Sequence, residues 1–199
     1  MKFKKYLMRK FSSDLIIFRE IKYFQNFLSM TISNSTLYDI PEIFRLYKLA
    51  TDFQTIAFPG NIWPEFDHDF IATEVIENRQ FKIVIDNKIA CIWAITYSDA
   101  GIWEEKENND AIYIHRIATN LEFRGNNFVQ MIANWSKDFG KKENKKFIRM
   151  DTCGQNDRLI NHYKKCGFQF LGMKKLKNSS ELQAHYHNAD VCFFEIDLD

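Results

Sequence analysis

Proline and glycine are scarce in this sequence, three and seven of 199 residues, and nowhere do they gather with serine into a linker or a low-complexity tract. No internal repeat recurs. Nothing therefore divides the body of the chain, and the usual domain size of about 150 residues makes one domain the expectation. Cysteine is thin as well. Cys91, Cys153, Cys166 and Cys192 form no C-x-x-C and no metal-ligand rhythm, which reads as buried thiols of a reducing compartment. Long apolar runs are missing: near the start, Leu15 to Phe18 is closed by Arg19, too short for a signal-peptide core or a bilayer span. A soluble, cytoplasmic protein without integral membrane association is the expectation. Charge of one sign is missing too, with 27 Lys+Arg against 26 Asp+Glu and a formal net charge of +1, so no overall field points to nucleic acid as the partner.

That balance is uneven. Residues 1–30 hold seven basic and two acidic side chains, which marks residues 1–29 as a basic extension of unknown role. It reads as an amphipathic helix against the domain or a membrane surface, a transit segment, or sequence upstream of a start at Met30. Residues 30–199 form the domain.

From Thr31 the pattern is regular. A short strand at residues 31–34 precedes a helix whose Asp39-Ile40-Pro41-Glu42 opening supplies a capping Asp and a Pro in the first turn. Ile40, Ile43, Phe44 and Tyr47 then share one apolar face. Phe58-Pro59-Gly60 breaks the pattern, and a second helix spans residues 65–78. Residues 81–85 and 89–97 are β-rich and joined through Asp86-Asn87-Lys88 as a hairpin. A strand follows at 111–119, then a loop at 120–127. The next helix carries Phe128, Met131, Ile132, Trp135 and Phe139 on one side. Lys141, Lys142, Lys145 and Lys146 read as its solvated end. A strand at 147–152, a helix at 156–166 stopped by Gly167, and strands at 168–176 and 191–196 complete the chain.

The informative stretch runs from Ile112 to Val129. A strand delivers the chain to a turn of Gly and Asn residues, and a helix starts at once. Such a junction aims backbone N–H groups and the positive end of a helix dipole at one point, which suits a phosphate or pyrophosphate. Gly and Asn tolerate the positive φ that a cradle of amides demands. G-x-x-x-x-G-K-S/T is absent, and so is G-x-G-x-x-G, which excludes a P-loop NTPase and a Rossmann dinucleotide site. A cradle without that Lys, and without a hydroxyl for magnesium, suits a ligand held by its pyrophosphate that does not react there.

Here the sequence resembles the GNAT superfamily of acyl-CoA-dependent N-acetyltransferases. The family's main motif, Gln/Arg-x-x-Gly-x-Gly/Ala, is matched by Arg124-Gly125-Asn126-Asn127-Phe128-Val129, with Asn127 in place of the usual Gly and Val129 in place of Gly/Ala. Val129 puts a branched side chain where backbone is expected to approach the phosphates, which predicts a looser contact. A following motif, Asn156 at the head of a helix and then Tyr163-Lys164-Lys165-Cys166-Gly167-Phe168, also agrees in spacing and order.

The resemblance implies an α/β (α+β) GNAT fold. That is a mixed, mostly antiparallel sheet of six to seven strands, splayed at its centre, with about four helices on both faces. It implies an acetyl-CoA cosubstrate and no metal. The pantetheine arm would add along Ile117, Ala118 and Thr119 as a pseudo-strand. The pyrophosphate would rest on the amides of Arg124, Gly125, Asn126, Asn127, Phe128 and Val129, with Asn156 bonding the arm. An amine would attack the thioester directly, a backbone N–H near Ile117 or Ala118 would hold the oxyanion, and Tyr163 would protonate the leaving thiolate. A non-catalytic acyl-CoA sensor or scaffold on the same fold is the alternative.

The base stays open among Asp110, His115, Glu104, Glu105 and water. Trp63, Trp93 and Trp103 are candidates for an aromatic acceptor pocket or for core packing. His185 and His187 stand on one side of an extended segment, but no third metal ligand is identifiable. The acceptor is not named by the sequence. Family members often pair through late strands, so a homodimer stays open.

Overall fold

A computed structural model describes residues 30–57, 62–176, 182 and 184–199. The basic extension at 1–29 and the Phe58-Pro59-Gly60 break lie outside the described residues. Seven strands make one sheet: β1 (Thr31–Asn34), β2 (Gln80–Ile85), β3 (Lys88–Thr96), β4 (Ala111–Thr119), β5 (Phe147–Cys153), β6 (Gln169–Lys175) and β7 (Asp190–Asp197). Their order across it is β1-β2-β3-β4-β5-β7-β6. Only β4 and β5 run parallel; every other neighbouring pair is antiparallel. Five helices accompany it: α1 (Ile40–Ala57), α2 (His68–Ile76), the short α3 (Ala100–Trp103), α4 (Phe128–Lys142) and α5 (Asp157–Lys165). This is the mixed, mostly antiparallel sheet expected, with α3 the helix the sequence pattern did not show.

Local chemistry explains most boundaries. Asp86 and Asn87 both take positive φ and Ile85 pairs directly with Lys88, so the hairpin turn has two residues and Lys88 already belongs to β3. Helix α2 begins three residues later than the pattern predicted, because the Asp67 carboxylate accepts from the Phe70 N–H at 2.9 Å and fixes the first turn there. Asp39 does not cap α1. The chain already turns at Leu37–Asp39, and the Asp39 carboxylate reaches back to the Thr36 N–H at 2.6 Å and to Lys82 Nζ at 2.5 Å. Gly167, at φ +95°, is the left-handed stop after α5 that the sequence predicts.

Strand β3 is apolar on both faces because both are covered. Cys91, Trp93 and Ile95 enter the main core, with Phe128 and Ile132 of α4 and Tyr163 of α5. Ile92 points the other way, with Ala118 of β4, into a second core under α1 and α2. A third apolar cluster gathers Ile102 and Trp103 of α3 with Tyr113, Val191 and Phe193. One face of the sheet is therefore filled continuously by α4 and α5, and the opposite face by two separate half-cores. No helix among the described residues is long and apolar enough to cross a membrane.

Candidate active site

The two central strands part company. Strand β4 pairs with β5 only from Ala111↔Phe147 to Ile114↔Met150, while on its other side it stays in register with β3 as far as Cys91↔Thr119. Beyond Ile114, Ile117 to Thr119 present an edge that β5 does not use. The divergence has a local cause. Trp93 of β3 faces two residues of β4, Arg116 and Ile117, because the register slips between Ile92↔Ala118 and Ala94↔His115. Arg116 sits at φ +51° in this bulge, and a bulge bends and twists the strand that carries it. Arginine avoids that region of backbone space, so the conformation is held by what the side chain touches. Its guanidinium forms two hydrogen bonds with Glu74, which is 0% exposed, and lies over the Phe66 and Phe70 rings at 5.4 and 5.3 Å.

The loop after β4 has the geometry of an anion cradle. Gly125 stands at φ +89°, and Asn127, the N-cap of α4, at φ +53°. The backbone N–H groups of Gly125, Asn126, Asn127, Phe128 and Val129 donate to no other described residue; that of Arg124 is engaged, at 3.4 Å, by the Leu121 carbonyl. Five of the six expected amides are thus unspent at the N-terminus of a fifteen-residue helix. Val129 packs against the main core with Phe128, so its branched side chain faces inward.

A cleft of about 660 Å³ opens where the strands separate, between the two half-cores, within the usual range for a small-ligand site. Ile117, Ala118, Thr119 and Arg124 line it from the β4 side, and Asn156 and Tyr163 from α5; Gly125 to Val129 follow Arg124 directly in the chain and do not line it. Asn156 spends its Oδ1 on the Leu159 N–H at 3.1 Å as the cap of α5, and its amide NH2 makes no bond to another described residue. Tyr163 is pinned edge-on against Phe194, ring centroids 5.0 Å apart, and its hydroxyl has no hydrogen-bond partner among the described residues. Burial, and then the nearby Cys166 and Asp151, push its phenol above the ordinary range. It is neutral at physiological pH.

The remaining candidates divide. His115 lines the cleft, while Asp110 pairs with Lys146 at 3.3 Å, Glu104 pairs with Lys174, and Glu105 is exposed; these three do not line it. Trp63 lines the cleft, edge-on to Tyr47. Trp93 and Trp103 are buried in the main and third cores. The segment before β7 is a 3-10 turn (Ala184–Tyr186) and not extended. His185 lines the cleft, whereas the exposed His187 ring bonds the Leu182 carbonyl at 3.0 Å, so the two imidazoles share no site.

Sequence reasoning missed a three-residue cluster on the cleft wall. Asp99, His115 and Asp151 bring one side-chain atom each within 4.8 Å of one another. His115 Nε2 is 3.1 Å from Thr96 Oγ1 and 3.7 Å from Asp99 Oδ2; the Tyr186 hydroxyl donates to Asp151 at 2.8 Å. Desolvation dominates all three titrations. It drives His115 down to about 3, helped by Arg116 and Arg79. It raises Asp99 to about 8, with Asp151 and Glu107 adding repulsion, and Asp151 to about 6 against the bond from Tyr186. At pH 7 the histidine is neutral and the two carboxyls hold roughly one proton between them. One sequence signal was available for Asp151: a charged residue at the splayed end of a strand otherwise buried on both sides.

The comparisons agree with this geometry. The model of the acetyltransferase (GNAT) family matches residues 44–168. An uncharacterized N-acetyltransferase YesJ from Bacillus subtilis is 27% identical over 74 residues, 37% of this chain and 41% of that protein's length. A GNAT-family acetyltransferase structure from Listeria monocytogenes superposes with a TM-score of 0.65 at 19% identity, over 85% of this chain and 95% of that one. The acetyltransferase yncA from Salmonella typhimurium, solved with acetyl-CoA, gives 0.62 at 14% identity, over 86% and 95%. With the family model covering more than half of its residues and the splayed strands in place, the chain belongs to the GNAT acetyltransferase family.

Proposed function

We propose that the protein is an N-acetyltransferase that moves an acetyl group from acetyl-CoA directly to a primary amine. The observation that carries this is a succession along the chain: an unpaired β4 edge at Ile117 to Thr119 and then Arg124 line the cleft, and five unspent amides at the head of α4 follow directly. A peptide-like arm fits the first and a diphosphate the second. Buried ionisable groups at the other end of the cleft favour chemistry over storage, since a scaffold that only held acyl-CoA gains nothing from desolvating Asp99, His115 and Asp151.

In this reading the amine nitrogen attacks the thioester carbon. The N–C bond forms while a backbone N–H near Ile117 or Ala118 holds the oxyanion. The C–S bond then breaks, and Tyr163 gives its proton to the departing sulfur. Of the two protons the ammonium nitrogen loses, one passes to Asp151 and on to solvent, and the other restores the phenol. His115, held neutral with a depressed pKa, is a poor base. Asp151, near 6, is the better match to neutral pH. Because the base works only when ionised, kcat is expected to rise with pH across about 6 and to fall below it. A pH–rate profile checks this, and Asp151→Asn should abolish that limb.

Gly125→Ala tests the cradle. With a Cβ at φ +89° the loop is strained by about 1–2 kcal/mol, so acetyl-CoA affinity is expected to weaken about tenfold with little change in kcat at saturation. Unchanged affinity by titration removes Gly125 from the binding surface. The activity itself is read by release of free CoA thiol on mixing protein, acetyl-CoA and an amine library. Saturable acetyl-CoA binding without turnover of any amine would return the scaffold reading.

A further inference from the structure

The charged lining of the cleft is one-sided. Its charged and imidazole groups are Asp99, His115, Arg116, Arg124, Asp151 and His185. Arg116 is committed to Glu74 and covered by Phe66 and Phe70. Arg124 lies over the Phe53 ring at 5.0 Å and opens the diphosphate loop. Desolvation holds both histidines neutral, His115 at about 3 and His185 at about 4. Two carboxyls from separate elements are left, and no described cation on the cleft wall answers them. Asp99 Oδ2 is buried with no hydrogen-bond partner. Its neighbours are Asp151 from β5, Glu107 from the loop before β4, and the neutral His115; the Tyr186 hydroxyl is already given to Asp151.

We propose that Asp99 and Asp151 select the acceptor: it enters as an ammonium ion with no acidic group beside the reacting nitrogen, an alkyl or aralkyl amine, and free α-amino acids are rejected. This rests on the acetyl-transfer reading above and narrows its substrate class. An ammonium supplies donors to Asp99 Oδ2, and its positive charge takes the place of the proton that the two carboxyls otherwise hold between them. A carboxylate on the adjacent carbon would be held against Asp151 in a partly desolvated cleft, where like charges repel more strongly than in bulk water. The walls beyond the cluster are apolar and aromatic, with Trp63, Phe66 and Phe70 lining the same opening. They suit the hydrocarbon end of such an amine.

The test compares tyramine, tyrosinamide and tyrosine, with isoamylamine, leucinamide and leucine as an aliphatic set, by thiol release from acetyl-CoA at pH 7.5. The amides match the acids in bulk and differ in charge. The expected result is that each amide exceeds its acid by at least about 30-fold in kcat/KM, and that this ratio, taken within the variant, shrinks about tenfold in Asp151→Asn. Acids used as well as amides, or a ratio unchanged in the variant, overturns the proposal. If no member turns over, the same order is expected in equilibrium binding to the CoA-loaded protein, and failure of the amines and amides to bind there also overturns it. An acetyl-CoA-dependent rise in Tm, measured without any amine, separates that failure from failure of the acetyl-CoA reading itself.

Discussion

Tyr163→Phe is expected to lower kcat by about 100-fold while leaving acetyl-CoA affinity within about twofold of the parent. The expectation follows from what the hydroxyl does not do in the fold. The ring is wedged edge-on against Phe194 and Phe168 at 5.0 and 6.3 Å, and phenylalanine keeps both contacts. No described residue accepts from or donates to the hydroxyl, so its removal strands no buried partner and the Tm should move by less than a degree or two. The lost atom matters only when a thiolate appears beside it. Burial raises the phenol away from the thiol range, so proton transfer is less evenly matched than between free phenol and thiol. The hydrogen bond offered to the developing charge on sulfur, from a phenol that is itself buried, is then the larger part of the contribution. Steady-state kinetics at saturating acetyl-CoA, with Kd measured separately, decides the matter. An unchanged kcat takes Tyr163 out of the chemistry.

What was legible in the sequence was local. The strand, the Gly and Asn turn and the helix of the cradle lie within one short stretch, and their φ requirements belong to the residues themselves. Asn156 as a cap and Gly167 as a stop are visible for the same reason. Fold order followed from periodicity, since every long apolar face found its layer. What was hidden depends on residues far apart in the chain. Asp99, His115 and Asp151 come from the N-cap of α3, from β4 and from β5, and no spacing announces their meeting. Asp110 and Glu104 looked equivalent to His115 as bases. They differ in place: Asp110 stands at the end of β4 that is paired with β5, and neither it nor Glu104 lines the cleft, each facing a half-exposed lysine instead. Trp93 and Trp103 were indistinguishable from Trp63 until the packing of β3 and of the short α3 was known. The bulge was the least legible feature. An arginine gives no hint of positive φ, and the reason it adopts one lies more than forty residues upstream, at Glu74.

Glu74→Ala is accordingly expected to be the most damaging change for stability, by about 3–5 kcal/mol, because it leaves a buried guanidinium without its counter-charge. Arg116 is 11% exposed at its side chain and Glu74 fully enclosed, and Arg79 Nη1 approaches the same carboxylate at 3.4 Å. At roughly 2–4 °C per kcal/mol for a domain of this size, the Tm should fall by about 10 °C. The pair does more than pair charges. Glu74 belongs to α2, Arg116 to the bulge that turns Ile117 to Thr119 away from β5, and Arg116 Nε lies 3.4 Å from the Tyr47 hydroxyl of α1. The Arg116 guanidinium therefore ties two helices, α2 through Glu74 and α1 through Tyr47, to the deformation that opens the cleft. A double-mutant cycle distinguishes this from simple packing. Arg116→Ala removes the charge that Glu74 neutralises and leaves that carboxylate only Arg79 Nη1 at 3.4 Å, so the Glu74 variant carries the cost of a buried unpaired guanidinium, the Arg116 variant part of the equivalent cost for the carboxylate, and the double variant neither. The double should be more stable than the sum of the singles predicts by at least about 1–2 kcal/mol. With the bulge no longer held, its acetyl-CoA affinity should still be reduced. Additive losses, or a double variant that binds acetyl-CoA as the parent does, would show that the β4 bulge is set by the sheet alone and that Glu74 and Arg116 merely accompany it.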